Sequence, residues 1–152
     1  YIDISYNAQD MLDLASQEIK PWRKFKNVLG EERDFYEQGG DHNHPLIKDI
    51  FRLLGTNTIV NCFFNKIPVG FQLPIHIDVI RNTTLIIPLT QGHEPIVFWD
   101  AEKEDANKVA EFEYTKPLLV NVKQPHNVPA PKHNDRISFQ VTLEEKFADV
   151  RL

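Results

Sequence analysis

Cysteine occurs once in the 152 residues, at Cys62. That excludes an internal disulfide and any cysteine-based metal pattern, and it leaves a small core residue as the simplest role. Long apolar runs are also missing: none approaches the roughly 18 residues that suggest a membrane span. The N-terminus has no basic segment leading into a signal-like apolar stretch, so a cytoplasmic location without membrane contact is expected. Positive charge is in deficit. The 17 Lys and Arg against 22 Asp and Glu give a formal net charge of -5, whereas polyphosphate binding needs clustered Lys and Arg that displace counterions. Nucleic acid is therefore not an expected partner. What remains is an ordinary globular composition, 41% hydrophobic and 26% charged, in a chain long enough to bury a core without disulfide or metal staples.

Two helix-like segments, Asp10 to Ile19 and Pro45 to Leu54, occupy the first 55 residues. In the second, Leu46, Ile47, Ile50, Leu53 and Leu54 share a face at helical spacing, and Gly55 stands where a helix stop is expected. From Thr58 the pattern changes to short β-like runs separated by Pro, Gly and Asn: Thr58 to Asn65, Leu73 to Ile80, Thr83 to Leu89, Ile96 to Trp99, Leu118 to Val122 and Arg136 to Leu143. Short strands in succession with turn signals between them predict an antiparallel sandwich or jelly roll. The charged stretch Asp100 to Asn107 is expected to be a solvated loop or short helix.

Within "LPIHIDVI", residues 73–80, a histidine and an aspartate interrupt an apolar run. Residues two apart in a strand point to the same side, so His76 and Asp78 share a face while Ile75, Ile77 and Val79 take the other. One imidazole and one carboxylate so placed are two thirds of the 2-His-1-carboxylate triad, which holds non-haem Fe(II) with positions left open. A third ligand is then required. His42 and His44 belong to a polar loop, His93 to a hairpin tip and His133 to a Pro-rich turn, whereas His126 follows the apolar run "PLLVNV", where a strand edge can carry it across a sheet. Ten residues beyond it, Arg136, Ser138, Gln140 and Thr142 alternate with Ile137, Phe139, Val141 and Leu143. Periodicity alone makes this an amphipathic strand with its polar face in water.

The stretches "PVGFQLPIHID" and "HNVPAPKHNDRIS" together resemble Fe(II)/2-oxoglutarate-dependent oxygenases. In that family an H-x-D entry strand is followed by a distal His and then Arg-x-Ser. H-x-D alone is a weak motif; the ordered set is more specific, and the resemblance covers roughly residues 61–143. It implies a mainly β fold, a double-stranded β-helix (jelly roll), in one unit over residues 1–152. Residues 1–55 would be helical support and residues 56–145 the jelly-roll core. It also implies that His76, Asp78 and His126 bind the metal, while Arg136 and Ser138 grip the distal carboxylate of 2-oxoglutarate. The polar face of the last strand then looks into the cofactor cavity, and its apolar face packs beneath the helices.

Charge supports the arrangement. Fe(II) with one aspartate and one arginine carries two positive charges, which dianionic 2-oxoglutarate cancels, and uncompensated charge inside a barrel is costly. Arginine suits the role because its planar fork makes two parallel bonds to a carboxylate. The implied activity is a dioxygenase reaction in which O2 and 2-oxoglutarate yield succinate, CO2 and a hydroxylated C–H bond on a small molecule or peptide. Thr84 and Asn61 are further candidates for cosubstrate contact, and Arg81 and Asn82 for substrate contact at the rim. Trp99, Phe63, Phe64, Phe71, Phe98 and Phe139 are expected to be packing residues. The rival readings are a cupin-like metal-binding protein without 2-oxoglutarate and a non-catalytic jelly-roll binding module. Substrate identity and oligomeric state are not legible from the sequence.

Overall fold

The computed structural model describes residues 1–17 and 21–152. Its helices are α1 (Ala8–Ala15) and α2 (Pro45–Leu53). The Asn7 side chain accepts from the Asp10 backbone N–H at the start of α1. His44 does the same for Leu46 at the start of α2, with Pro45 in the first turn. Each cap satisfies an amide that the helix leaves unpaired. The sequence-expected end of the first helix, at residues 18–19, lies outside the described residues.

The strands are β1 (Arg23–Lys26), β2 (Glu32–Gly39), β3 (Ile59–Ile67), β4 (Leu73–His76), β5 (Thr83–Pro88), β6 (Ile96–Trp99), β7 (Lys108–Phe112), β8 (Leu118–Asn121), β9 (His126–Val128) and β10 (Arg136–Leu143). They form a six-stranded sheet in the order β1-β2-β3-β10-β5-β8 and a four-stranded sheet in the order β4-β9-β6-β7. All the described pairings are antiparallel. From β3 onward the chain passes back and forth between the sheets. Strands β3, β5, β8 and β10 go to the large sheet, and β4, β6, β7 and β9 to the small one. That interleaving is a double-stranded β-helix, as expected.

The outer face of the large sheet carries the main core. Phe64, Leu85, Ile87, Phe139, Val141 and Leu143 meet Met11 of α1 and Ile47, Ile50 and Leu54 from α2 and its end. Full burial of such a side chain contributes about 1.5–3 kcal/mol, so the helices are held by their apolar stripes. The inner face follows from register. Arg136, Ser138, Gln140 and Thr142 lie opposite Ile67, Asn65, Phe63 and Asn61 of β3, while Pro88, Ile86 and Thr84 of β5 flank Ser138, Gln140 and Thr142 on the other side. The polar face of β10 is thus turned inward, away from solvent.

Three expectations need correction. The segment before residue 56 is not purely helical, because β1 and β2 extend the large sheet there. The strand expected over residues 73–80 stops at His76, and Ile77, Val79 and Ile80 are 37%, 68% and 81% exposed. Strands β7 and β9 were not foreseen. β7 is an edge strand of exposed, partly charged residues, a composition that protects sheet edges and hides them from hydrophobic patterning. β9 is only three residues long.

Candidate functional site

His76 and His126 are direct cross-strand partners at the end of β4 and on β9, so their side chains leave the small sheet on one face. Their ring centroids are 4.4 Å apart, and Phe98, opposite His126 on β6, backs the second ring at 5.9 Å. Asp78 lies two residues past the end of β4, where its backbone N–H donates to the Val122 carbonyl at 2.9 Å. Lys123 Nζ donates to the carbonyls of Asp78 at 2.8 Å and Val79 at 2.6 Å. The turn is therefore tied to the segment that leads into β9. One ligand atom from each of His76, Asp78 and His126 falls within 4.8 Å of the others, so the three could hold a metal ion.

The imidazoles are oriented for that task. Each Nδ1 sits on a carbonyl, His76 on Pro74 at 2.7 Å and His126 on Gln124 at 2.8 Å. A ring that donates from Nδ1 keeps Nε2 as its free lone pair, the arrangement that orients metal-ligating histidines. Burial pushes the His126 pKa down to about 4, with the neighbouring His76 acting in the same direction, so the ring is neutral near pH 7. Burial also opposes charge on His76, but its bonds to Asp78 and to the Pro74 carbonyl outweigh burial and raise its pKa. Asp78 shows the converse: burial disfavours the carboxylate, and His76 and Arg81 more than compensate, lowering its pKa. His76 Nε2 and Asp78 Oδ1 are 3.5 Å apart. Two ligands each about 2.1 Å from one ion would be separated by a similar distance, about 3 Å.

Across the same cavity stands Arg136, 3% exposed. Its Nη1 donates to the Glu94 carbonyl at 2.9 Å, its Cζ lies 3.7 Å from the centroid of the Tyr114 ring, and its Nη2 is buried with no hydrogen-bond partner. Burial lowers its pKa, with Tyr114 opposing, and an arginine stays cationic despite such a shift. A buried cationic donor left unpaired costs more than the 1–3 kcal/mol typical of a neutral group, so this end of the cavity fits an anion. Ser138 is buried beside it on β10, and its Oγ accepts from Gln140 Nε2 at 3.1 Å.

The cavity measures about 1520 Å³, above the usual range for a pocket filled by one small ligand. It brings together His76, Asp78, His126, Arg136, Ser138, Asn61 and Arg81. Two other expected positions do not line it. Thr84 is fully buried with its Oγ1 unpartnered. Asn82 donates from Nδ2 to the Glu144 carbonyl at 2.8 Å and so fastens a turn. The remaining histidines stay clear of the triad: His42 and His133 are exposed, His44 caps α2, and His93 Nε2 meets Thr90 Oγ1 at 2.8 Å. Trp99 donates to Asn127 Oδ1 at 2.8 Å and serves packing. Phe63 and Phe71, expected only to pack, also line the cavity.

Sequence reasoning missed several lining residues. Tyr114 follows β7, and its Oη donates to the Ile137 carbonyl at 2.8 Å. Glu37, half-buried on β2, has its pKa raised chiefly by burial, with Arg81 opposing. Asn65 stands opposite Ser138. The signal available for Asn65 was its inward register with β10; Tyr114 and Glu37 sit in or after polar stretches that patterning could not assign.

No family model matches the sequence, and no curated protein does either. Solved structures do match in fold. A prolyl hydroxylase from Trichoplax adhaerens, in complex with a hypoxia inducible factor oxygen degradation domain peptide fragment, is 15% identical, with a TM-score of 0.61 over 89% of this chain and 74% of that one. The viral collagen prolyl hydroxylase of Paramecium Bursaria Chlorella virus-1, as a 2OG complex, is 10% identical with a TM-score of 0.59 over 90% and 88% of the respective chains. A 2OG-Fe(II) oxygenase family oxidoreductase from Burkholderia pseudomallei is 15% identical with a TM-score of 0.57, covering 90% and 76%. At these identities the likeness concerns the fold.

Proposed function

We propose that this chain is an Fe(II)/2-oxoglutarate-dependent dioxygenase that hydroxylates a C–H bond, with His76, Asp78 and His126 as iron ligands. The single observation that carries this reading is that Arg136, whose buried Nη2 has no hydrogen-bond partner, lines the same cavity as His76, Asp78 and His126, whose ligand atoms converge. A metal triad alone is common to many jelly-roll proteins; a triad that shares a cavity with a buried, unsatisfied guanidinium suits a chelating dicarboxylic acid. The donor set fits the metal: two imidazoles whose Nδ1 atoms are held by carbonyls and one carboxylate are the ligands of the facial triad.

When bound, iron and 2-oxoglutarate with O2 supply the oxidising chemistry; the protein's part is to seat and shield them. Arg136, on the cavity wall, would pair with the distal carboxylate. Ser138, whose Oγ accepts from Gln140, lines the cavity beside it and would offer its hydroxyl to the same carboxylate. Tyr114, buried at 3% exposure, closes the floor beneath the guanidinium and keeps water from it, which strengthens the ion pair that forms there. Asn61 lines the cavity and is available for a further contact.

The cavity volume and the exposed apolar residues Ile77, Val79 and Ile80 at its edge favour a peptidyl side chain over a small polar metabolite as substrate. Two of the structures similar in fold are prolyl hydroxylases, one of them bound to a peptide. The test is anaerobic titration of the Fe(II)-loaded protein with 2-oxoglutarate. We expect the visible charge-transfer band of a chelated 2-oxo acid, absent from His126→Ala, and 2-oxoglutarate-dependent succinate formation in air. Metal uptake with no response to 2-oxoglutarate would instead indicate a metal-binding jelly roll of another kind.

A further inference from the structure

Arg81 was expected at the rim, but its guanidinium turns inward. Its Nη2 lies 2.6 Å from Asp78 Oδ2, an ion pair made by charge and proximity without an N–H aimed at that oxygen. Its Nη1 donates to Gln140 Oε1 at 3.2 Å, and its Cζ stands 5.4 Å from the Phe63 ring centroid. Gln140 in turn donates to Ser138 Oγ at 3.1 Å. The guanidinium is thus held by a carboxylate, an amide and an aromatic face. The two oxygens of Asp78 are divided: Oδ1 faces His76 Nε2 at 3.5 Å and Oδ2 faces Arg81.

We infer that Arg81 is a positioning residue that keeps Asp78 a one-oxygen metal ligand, and so preserves the coordination positions that a chelating 2-oxo acid needs. The inference rests on the reading of His76, Asp78 and His126 as iron ligands. A carboxylate can grip a metal with one oxygen or with two. Three protein donors leave three positions of a six-coordinate ion, enough for a two-toothed oxoacid and one further ligand; a second Asp78 oxygen would take one of them. With Oδ2 engaged by a fixed cation, only Oδ1 is free to turn toward the histidines. Arginine is suited to this because its planar fork reaches Asp78 and Gln140 at once, which a lysine ammonium cannot do with the same geometry. The same chain of contacts, from Asp78 through Arg81 and Gln140 to Ser138, joins the metal end of the cavity to the anion end.

The direction of the effect separates positioning from mere structural support. Removing Arg81 takes a positive charge away from the metal and frees Oδ2, so metal binding should hold or tighten. Cosubstrate binding should weaken, because a position is lost. The experiment is calorimetric titration of wild-type and Arg81→Met proteins with Co(II), then of each Co(II) protein with 2-oxoglutarate, with the cobalt absorption spectrum recorded throughout. We expect Arg81→Met to bind Co(II) at least as tightly as wild type, with an altered cobalt spectrum, in contrast to the loss of metal affinity that removing a merely supporting outer-shell partner causes, and to bind 2-oxoglutarate more weakly; Arg81→Lys should recover part of the loss. Equal weakening of metal and cosubstrate, or no change in either, overturns the inference while leaving the oxygenase reading intact. A wild-type protein that takes up no Co(II) overturns that reading and the inference with it. If Arg81→Met does not fold, Gln140→Leu removes the far anchor of the guanidinium together with the bond to Ser138 Oγ, so the readout there is the metal alone: Co(II) affinity should hold or rise with a shifted cobalt spectrum, and an unchanged spectrum or weaker Co(II) binding overturns the inference.

Discussion

The two faces of β10 are equally dry and chemically opposite. Phe139, Val141 and Leu143 are exposed by 0%, 0% and 1%, and Arg136, Ser138 and Thr142 by 3%, 3% and 2%. Burial therefore does not distinguish core from site in this strand; polar satisfaction does. On the helix side nothing needs a partner. On the other face Arg136 Nη2 and Thr142 Oγ1 have none, and neither does Thr84 Oγ1 on the adjoining strand; of the three residues only Arg136 lines the cavity. Each unpaired group costs on the order of 1–3 kcal/mol, a cost that a folded chain rarely carries without a use for it. The outer face stabilises the barrel, and the inner face draws on that stability to hold the incompletely paired Arg136 at the cavity wall.

The largest effect should come from the outer face. Phe139 lies 5.0 Å from Phe64, ring centroid to centroid, in the middle of the core beneath the helices. Phe139→Ala removes a buried ring and leaves a cavity, with an expected loss of about 3–5 kcal/mol in denaturant unfolding. Cosubstrate affinity per folded molecule should stay as it was, because the ring faces away from the site. A loss under about 1 kcal/mol would mean that the two faces differ less in energy than in composition.

Arg136→Met is the mirror experiment. It removes an incompletely paired buried cation and puts an apolar chain of similar reach in its place, so stability should hold or rise. Binding of 2-oxoglutarate should weaken by about 1.5–3 kcal/mol, the range for a hydrogen bond to a charged group, read by titration of the Fe(II) protein without oxygen. A fall in stability as large as that of Phe139→Ala would make Arg136 a structural residue and remove the contrast between the faces.

Much of this contrast was legible in the sequence, because strand alternation is a local property. The 2.0-residue period of "RISFQVTL" separated its two faces, whereas the same alternation could not place Asp78, because β4 stops at His76 and a turn tied to Val122 brings the carboxylate round instead. Which face was inside was not local: periodicity alone put the polar face in water, and only the order of motifs along the chain argued for the reverse. The approach of His126 to His76 depends on a β4–β9 register between residues fifty positions apart, which no window of sequence contains. Charged edge strands were lost for a related reason. β1 and β7 carry Lys, Arg and Glu where a buried strand would carry Val or Ile, and so leave no hydrophobic alternation to detect. Arg81 shows the limit most clearly, since a residue at the end of an apolar turn reads as rim until its guanidinium is found on Asp78.

The smallest expected effect tests the seam between the faces. Tyr114 donates to the Ile137 carbonyl, a residue on the outer face of β10, while its ring supports Arg136 on the inner one. Tyr114→Phe keeps the ring and deletes one hydrogen bond, so unfolding free energy near pH 7 should fall by about 0.5–1.5 kcal/mol with metal uptake unchanged. The phenol also gives a pH signature. Burial pushes its pKa from 10.0 to about 12, so the folded chain retains the proton that the unfolded chain releases. Its contribution is fully present below pH 10 and is lost as pH rises toward 12. Burial raises the Tyr6 pKa too, so the useful quantity is the difference between wild type and Tyr114→Phe. Unfolding midpoints compared at pH 8 and pH 11 should converge as pH rises, because the wild type alone loses the Tyr114 contribution. Midpoints that stay parallel would mean that the phenol is not held neutral by its surroundings, and the cavity wall beneath Arg136 would then be wetter than the fold of β10 implies.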